Sequence, residues 1–185
     1  MSDDSRPAAQ APVILHDGDL GAVRYADWLA EDFETAAHLY TDADPAELVV
    51  AGTVVVFTEY RPDGELGATE FVQENWEAIV ESGRRVAIGM VGIQPINDDS
   101  RISAMSNAFS EEQLRKIKLF QFRGAIDESG LGFRQKLALK TMAATIRRKP
   151  RRTPDEQALV DNDSGLDFTD RATLGPLLRW IRGEA

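Results

Sequence analysis

Residue types and spacings that could do chemistry fall in two stretches of this chain. The first is the turn Asp17-Gly18-Asp19-Leu20-Gly21-Ala22, which lies between a short apolar run and a segment of helical apolar spacing. A glycine-spaced strand-to-helix turn offers backbone N–H groups and the positive end of a helix to an anion. Here it also carries two carboxylates. Asp17 or Asp19 is expected to cap the helix, occupying the N–H groups that an anion would use. The competing arrangement folds Arg24, one turn into the helix, back over a bound anion.

The second stretch runs from Arg134 to Arg152 and holds eight Lys/Arg with no acid. The whole chain, 185 residues long, carries a net charge of -10, but residues 1–99 hold 20 acids against 5 bases, so the positive charge is concentrated downstream. In the basic stretch Arg134, Lys136 and Lys140 alternate with Leu137, Leu139, Met142, Ala143 and Ile146, and Arg147 to Arg152 follow. An amphipathic basic helix of this kind suits an anionic membrane surface or an acidic protein partner. The alternative is a solvated helix face. The acidic remainder and the lack of a nucleic-acid module argue against nucleic acid.

Other chemistries find little support. The chain has no cysteine, which excludes disulfides and thiolate sites and suits a reducing compartment, so cytosol is the expected location, with peripheral membrane contact left open. His16 and His38 are isolated and suggest no metal site. Asp98-Asp99 is more readily a solvated pair than a cation site. No nucleophile elbow, phosphate loop ending in Gly-Lys-Ser/Thr or Gly-x-Gly-x-x-Gly is present, and no side chain stands out as a catalytic acid or base.

The elements that must position these residues alternate. Residues 1–11 read as a loose tail and residues 12–185 as one domain that includes a basic helical segment over 133–152. Strands are expected at Pro12–His16, around Ala36–Tyr40, and at Gly52–Phe57, Arg85–Val91 and Lys118–Gly124. Helices are expected from Val23, over Ala68–Val80 with a stop at Gly83, over Ser110–Lys116 with a Ser110/Gln113 capping box, and over Phe133–Lys149, Pro154–Val160 and Asp170–Arg182. Thr41–Pro45 reads as a turn, and Gly92 to about Asn107 as a long polar loop. Trp28, Trp76, Phe57 and Phe71 read as core. This order predicts an α/β three-layer sandwich, a five-stranded parallel sheet with helices on both faces. The ligand crevice of such a sheet lies beyond the C-terminal strand ends, which selects three loops: Asp17–Ala22, Thr58–Gly67 with its Pro62-Asp63-Gly64, and Gly92–Asn107.

Several of these segments resemble the flavodoxin-like superfamily, in particular short flavodoxin-domain proteins similar to flavodoxin-type protoporphyrinogen oxidase. The resemblance spans about residues 12–182. It rests on Leu119 to Asp127 with Arg123-Gly124, on Gly132-Phe133 leading to Phe133-Arg134-Gln135-Lys136, and on Gly165 to Asp170. It implies FMN and oxidoreductase or electron-transfer chemistry, with the phosphate on Gly18, Gly21, Ala22 and Arg24, and the ring flanked by Thr58, Tyr60, Gly92, Gln94 and the backbone up to Pro95. It also implies that the basic region lies near the flavin edge, where the family meets quinone or porphyrin.

The phosphate turn departs from the family pattern. The glycine spacing is kept, while the hydroxyls of the family's Ser/Thr-x-x-Gly-x-Thr turn are absent, and Asp17 and Asp19 stand beside the phosphate position. At an effective dielectric of ~20 each unit-charge pair at about 4 Å repels by roughly 4 kcal/mol before screening, against about 1 kcal/mol for a lost hydroxyl hydrogen bond. The expectation is therefore a flavodoxin-domain protein with a degenerate phosphate loop and weak or no FMN binding, acting through protein or membrane-surface contacts. The alternative is a working FMN-dependent oxidoreductase that passes electrons to a quinone or other acceptor.

Overall fold

The computed structural model describes residues 11–61, 64–81, 84–94, 99–127, 132–161 and 166–184. The expected tail falls outside them at 1–10, as do Pro62, Asp63, Gly83, Pro95, Asp98 and Gly165.

β-branched runs form the centre of the molecule, as residues that fit a pleated surface covered on both faces should. β1 (Val13–His16), β2 (Ala37–Leu39), β3 (Thr53–Glu59), β4 (Arg85–Gly92) and β5 (Lys118–Arg123) make one sheet in the order β2-β1-β3-β4-β5. Every pairing in it is parallel. All seven residues of β3 are buried, yet its period of two still sorts them between two cores. Val54 and Val56 join Leu15, Ile88 and Met90 on one face, and Val55 and Phe57 join Ile14, Val91 and Phe122 on the other.

α1 (Leu20–Asp32) and α8 (Gly175–Arg182) cover the second face through Ala22, Tyr25, Leu29, Leu177 and Ile181. α2 (Pro45–Val50), α3 (Thr69–Glu74) with its π-helical continuation over Glu77–Glu81, and α4 (Asp99–Ala108) cover the first. This is a flavodoxin-like α/β sandwich. Beyond the sheet lie α5 (Glu111–Lys116), α6 (Phe133–Arg147) and α7 (Pro154–Asp161). A short antiparallel ribbon pairs β6 (Ala125–Ile126) with β7 (Leu166–Asp167).

Most expected elements are in place, including the Ser110/Gln113 capping box and the Asp170 cap, whose carboxylate accepts from Ala172 N–H at 2.9 Å. Trp28 and Trp76 pack at the margins of the two cores, Phe57 is fully buried and Phe71 lies against Tyr40. Three readings need correction. The segment taken as a loop to Asn107 contains α4, whose serines blur the apolar period. The expected turn Thr41–Pro45 stops short of its bounds, because Pro45 already opens α2, a helix not expected from the sequence and started by Asp44 accepting from Ala46 N–H at 2.8 Å. The last helix begins as a 3-10 turn, Arg171–Leu174, and becomes α-helical at Gly175.

Candidate functional site

β1, β3 and β4 run parallel and in register, so His16, Glu59 and Gly92 end at one edge of the sheet. The three crevice loops leave from there. At the first, Gly18 takes φ +88°, a left-handed conformation that glycine adopts without strain, and its N–H donates to His16 Nδ1 at 3.1 Å.

Asp17 turns inward. Its Oδ1 accepts from Asp19 N–H at 3.1 Å, and its Oδ2 accepts from Glu59 N–H at 2.7 Å and from the Thr58 hydroxyl at 3.1 Å. Thr58 Oγ1 in turn accepts from Ala68 N–H at 2.9 Å, so one carboxylate ties the first loop to the second. Asp19 occupies the N-cap position of α1 but makes no side-chain cap bond there. Its Oδ2 takes two bonds from Arg61, each of 2.7 Å.

The amide that a capping aspartate was expected to satisfy goes elsewhere. Gly21 N–H donates to Glu59 Oε2 at 3.2 Å, and Ala22 N–H also favours the ionised carboxylate. Glu59 is the last residue of β3 and only 6% exposed. Its carboxyl lies between two glycines: a Cβ on Gly21 would stand 3.1 Å from Oε2, and one on Gly124 would stand 3.2 Å from Oε1. Gly67 plays the same part for Asp17, since a Cβ there would fall 2.2 Å from Oδ2. The Asp17 carboxylate thus gives Gly67 a physical reason to be glycine, while a Cβ at Gly21 would first meet Val91 Cγ1 at 2.8 Å and one at Gly124 would crowd the Gly92 backbone as closely as Glu59.

Burial and neighbouring charge set the protonation of this group. Desolvation, then the charges of Asp19 and Asp17, push Glu59 up to about 8, against the opposing pull of the Gly21 and Ala22 amides. Desolvation also raises Asp17, opposed by the Glu59 N–H. Near neutral pH Glu59 caps α1 mostly as a carboxylic acid. Burial lowers the pKa of His16.

The remaining residues singled out in the sequence are distributed around this cluster. Ala22 is buried under α1. Arg24 points away from the turn, bonded to Asp167 and, at 2.8 Å, to the Thr169 hydroxyl. Tyr60 leans on the α3-side core and bridges to Leu66. Gly92 and Gln94 are organised by Arg101, which the sequence did not single out. Fully buried, Arg101 donates to Gly92 O at 2.5 Å, Gln94 O at 3.0 Å and Phe122 O at 2.8 Å. Gln94 Oε1 is a buried acceptor without a hydrogen bond. Glu59, Arg61 and Arg101 are the residues that sequence reasoning missed. Glu59 ends an apolar strand at the crevice edge, which was its only signal.

Two of the three C-terminal motifs, around Arg123-Gly124 and Phe168 to Asp170, meet in space. Phe168 N–H donates to Gly124 O at 3.0 Å, Arg123 lies over the Phe168 ring, and Asp170 N–H reaches the Tyr25 hydroxyl at 3.0 Å, closing a strap over the β5 exit and α1. Among the described residues no group of three metal-ligating side chains occurs, and no helix is long and apolar enough to cross a membrane. No protein-family model and no curated protein matches this sequence.

Proposed function

We propose that this chain is a flavodoxin-like domain of FMN-dependent redox ancestry whose phosphate turn has become an internal acidic cap, so that it binds FMN weakly or not at all and acts through surface contacts. The observation that supports this most is the Glu59 carboxyl on the Gly21 N–H. A phosphate at the head of α1 needs that amide and the space beside it. It would also meet Asp17 and Asp19, while Arg24, the base expected to help it, is engaged by Asp167 and Thr169. On this reading the residues present do not fit the FMN phosphate.

A second reading, an FMN-dependent oxidoreductase similar to flavodoxin-type protoporphyrinogen oxidase, draws on one observation. Gln94 Oε1 is an unsatisfied buried acceptor on the third crevice loop, where a flavin N–H would find it useful.

The two readings separate on freshly purified protein. The first expects a colourless protein whose unfolding temperature does not move with added FMN. A genuine site would add about 2.7 kcal/mol of stability at FMN concentrations of about 100 times Kd. A yellow protein, or an FMN-dependent rise in unfolding temperature, overturns the first reading in favour of the second.

A further inference from the structure

The α6–α7 hairpin divides its bases into two sets. Arg147, Lys149 and Arg152 hold the hairpin together: Arg152 Nε donates to Ile146 O at 3.0 Å, Lys149 pairs with Glu156 at 2.5 Å, and Arg147 reaches Val160 O at 3.4 Å. Among the described residues Lys136, Lys140, Arg148 and Arg151 have no side-chain hydrogen-bond or ion-pair partner, and all but half-buried Lys136 are exposed.

The apolar residues of α6 divide as well. Leu139 and Met142 face inward onto Ile93, and Ile146 is buried. Phe133 and Leu137, one turn apart, face outward and are 83% and 56% exposed. Helical spacing puts Phe133, Leu137, Lys140, Ala144 and Arg148 on one stripe, with Arg134 beside it, 3.9 Å from Glu65. A free surface gains nothing from an aromatic ring exposed to this degree beside an unpaired cationic row.

We propose that the outer face of α6 docks on an anionic lipid bilayer, with Phe133 and Leu137 entering the headgroup region and Lys136, Lys140, Arg148 and Arg151 on the lipid phosphates. The proposal rests on, and deepens, the surface-contact reading above. Charge complementarity selects the partner. With a net charge of -10, the rest of the chain is repelled by an anionic surface, so this face alone is drawn to it and the orientation is fixed. A convex helix that presents two apolar side chains between long bases suits a fluid interface, where the bases can lie along the surface while the apolar pair enters. Because α6 rests on Ile93, just past the end of β4, docking turns the crevice edge of the sheet toward the lipid.

Co-sedimentation with vesicles tests this. Full-length protein should bind phosphatidylglycerol-rich vesicles, release in high salt and ignore phosphatidylcholine vesicles. F133S/L137S should bind about tenfold more weakly, and K136E/K140E/R148E/R151E should lose binding, with unfolding temperatures unchanged because these side chains are not part of the core. Absence of binding to anionic vesicles overturns the proposal. So does binding indifferent to F133S/L137S, or salt-sensitive binding to soluble polyglutamate as strong as to vesicles, which would indicate an acidic protein partner. FMN titration of the same preparation keeps the two readings apart. Protein that binds FMN and vesicles overturns the function above and supports the docking face, while flavin-free protein that ignores vesicles overturns the docking face alone.

Discussion

The Glu59 carboxyl stands between the α-carbons of Gly21 and Gly124 and accepts the Gly21 N–H at 3.2 Å, so a residue 38 positions along the chain caps α1. In a parallel sheet the end of β3 lies beside the head of the helix that follows β1, which makes this contact available to any long acid at that strand end. A capping carboxylate also favours the helix dipole when it is ionised.

Asp17 and Gly67 form a tight pair, and Gly67→Ala should show it. The new methyl would overlap Asp17 Oδ2 at 2.2 Å, and Asp17 is anchored by Glu59 N–H and Thr58, so it cannot swing aside freely. A loss of about 1–3 kcal/mol is expected in urea unfolding. Combining it with Asp17→Ala should cost less than the sum of the two single changes. Full additivity would mean that the two residues do not meet.

Glu59 makes stability depend on pH in a stated direction. Its folded pKa, about 8, lies above the ordinary value of 4.5, so in between the folded state holds a proton that the unfolded state has released. Stability therefore falls as pH rises through this window and levels off above the folded pKa, with a slope approaching about 1.4 kcal/mol per pH unit. His16, lowered by burial, loses stability on the acid side instead, while Asp17, also raised by burial, declines in the same direction as Glu59, so the Glu59 share is the difference between the wild-type and Glu59→Gln slopes. Glu59→Gln keeps an acceptor for Gly21 and should flatten the decline. An unchanged slope assigns it to another group.

Arg101 should be among the most sensitive positions in the fold. It is fully buried and donates to the carbonyls of Gly92, Gln94 and Phe122. Arg101→Met leaves these acceptors without their donor, and a loss of about 3 kcal/mol or more is expected from chemical denaturation. Hydrogen exchange at the β4 and β5 C-terminal ends should rise with it. A loss below about 1 kcal/mol would show that water replaces the guanidinium.

Fitting an FMN phosphate to the first crevice turn should require three changes. Asp17→Ser with Asp19→Thr leaves Glu59 on the Gly21 amide, so FMN affinity should stay undetectable by fluorescence quenching. Adding Glu59→Ser frees that amide and should bring measurable FMN binding. If the double variant already binds, Glu59 is not the obstacle.

The basic stretch shows how far a sequence pattern reaches. Eight Lys/Arg without an acid are plain from the chain, and so is helical spacing over 133–147. Which bases face solvent was not legible, because Arg147 meets Val160 O and Arg152 meets Gln157 only when α7 folds back against α6. Likewise Asp99–Ala108 hid its helix, since its inward residues Arg101, Ala104 and Met105 include a charge that meets the carbonyls of Gly92, Gln94 and Phe122 in the folded interior.

By itself the sequence determined the flavodoxin-like sandwich, because uninterrupted β-branched runs separated by amphipathic helices leave a parallel sheet covered on both faces as the arrangement that buries both. It also determined that the first crevice turn is acidic. Tertiary structure decided what the acids do. Asp19 is taken by Arg61, Asp17 by Thr58 and Glu59, and the helix amide by Glu59, since strand ends far apart in the chain are brought within hydrogen-bond reach only when the sheet assembles.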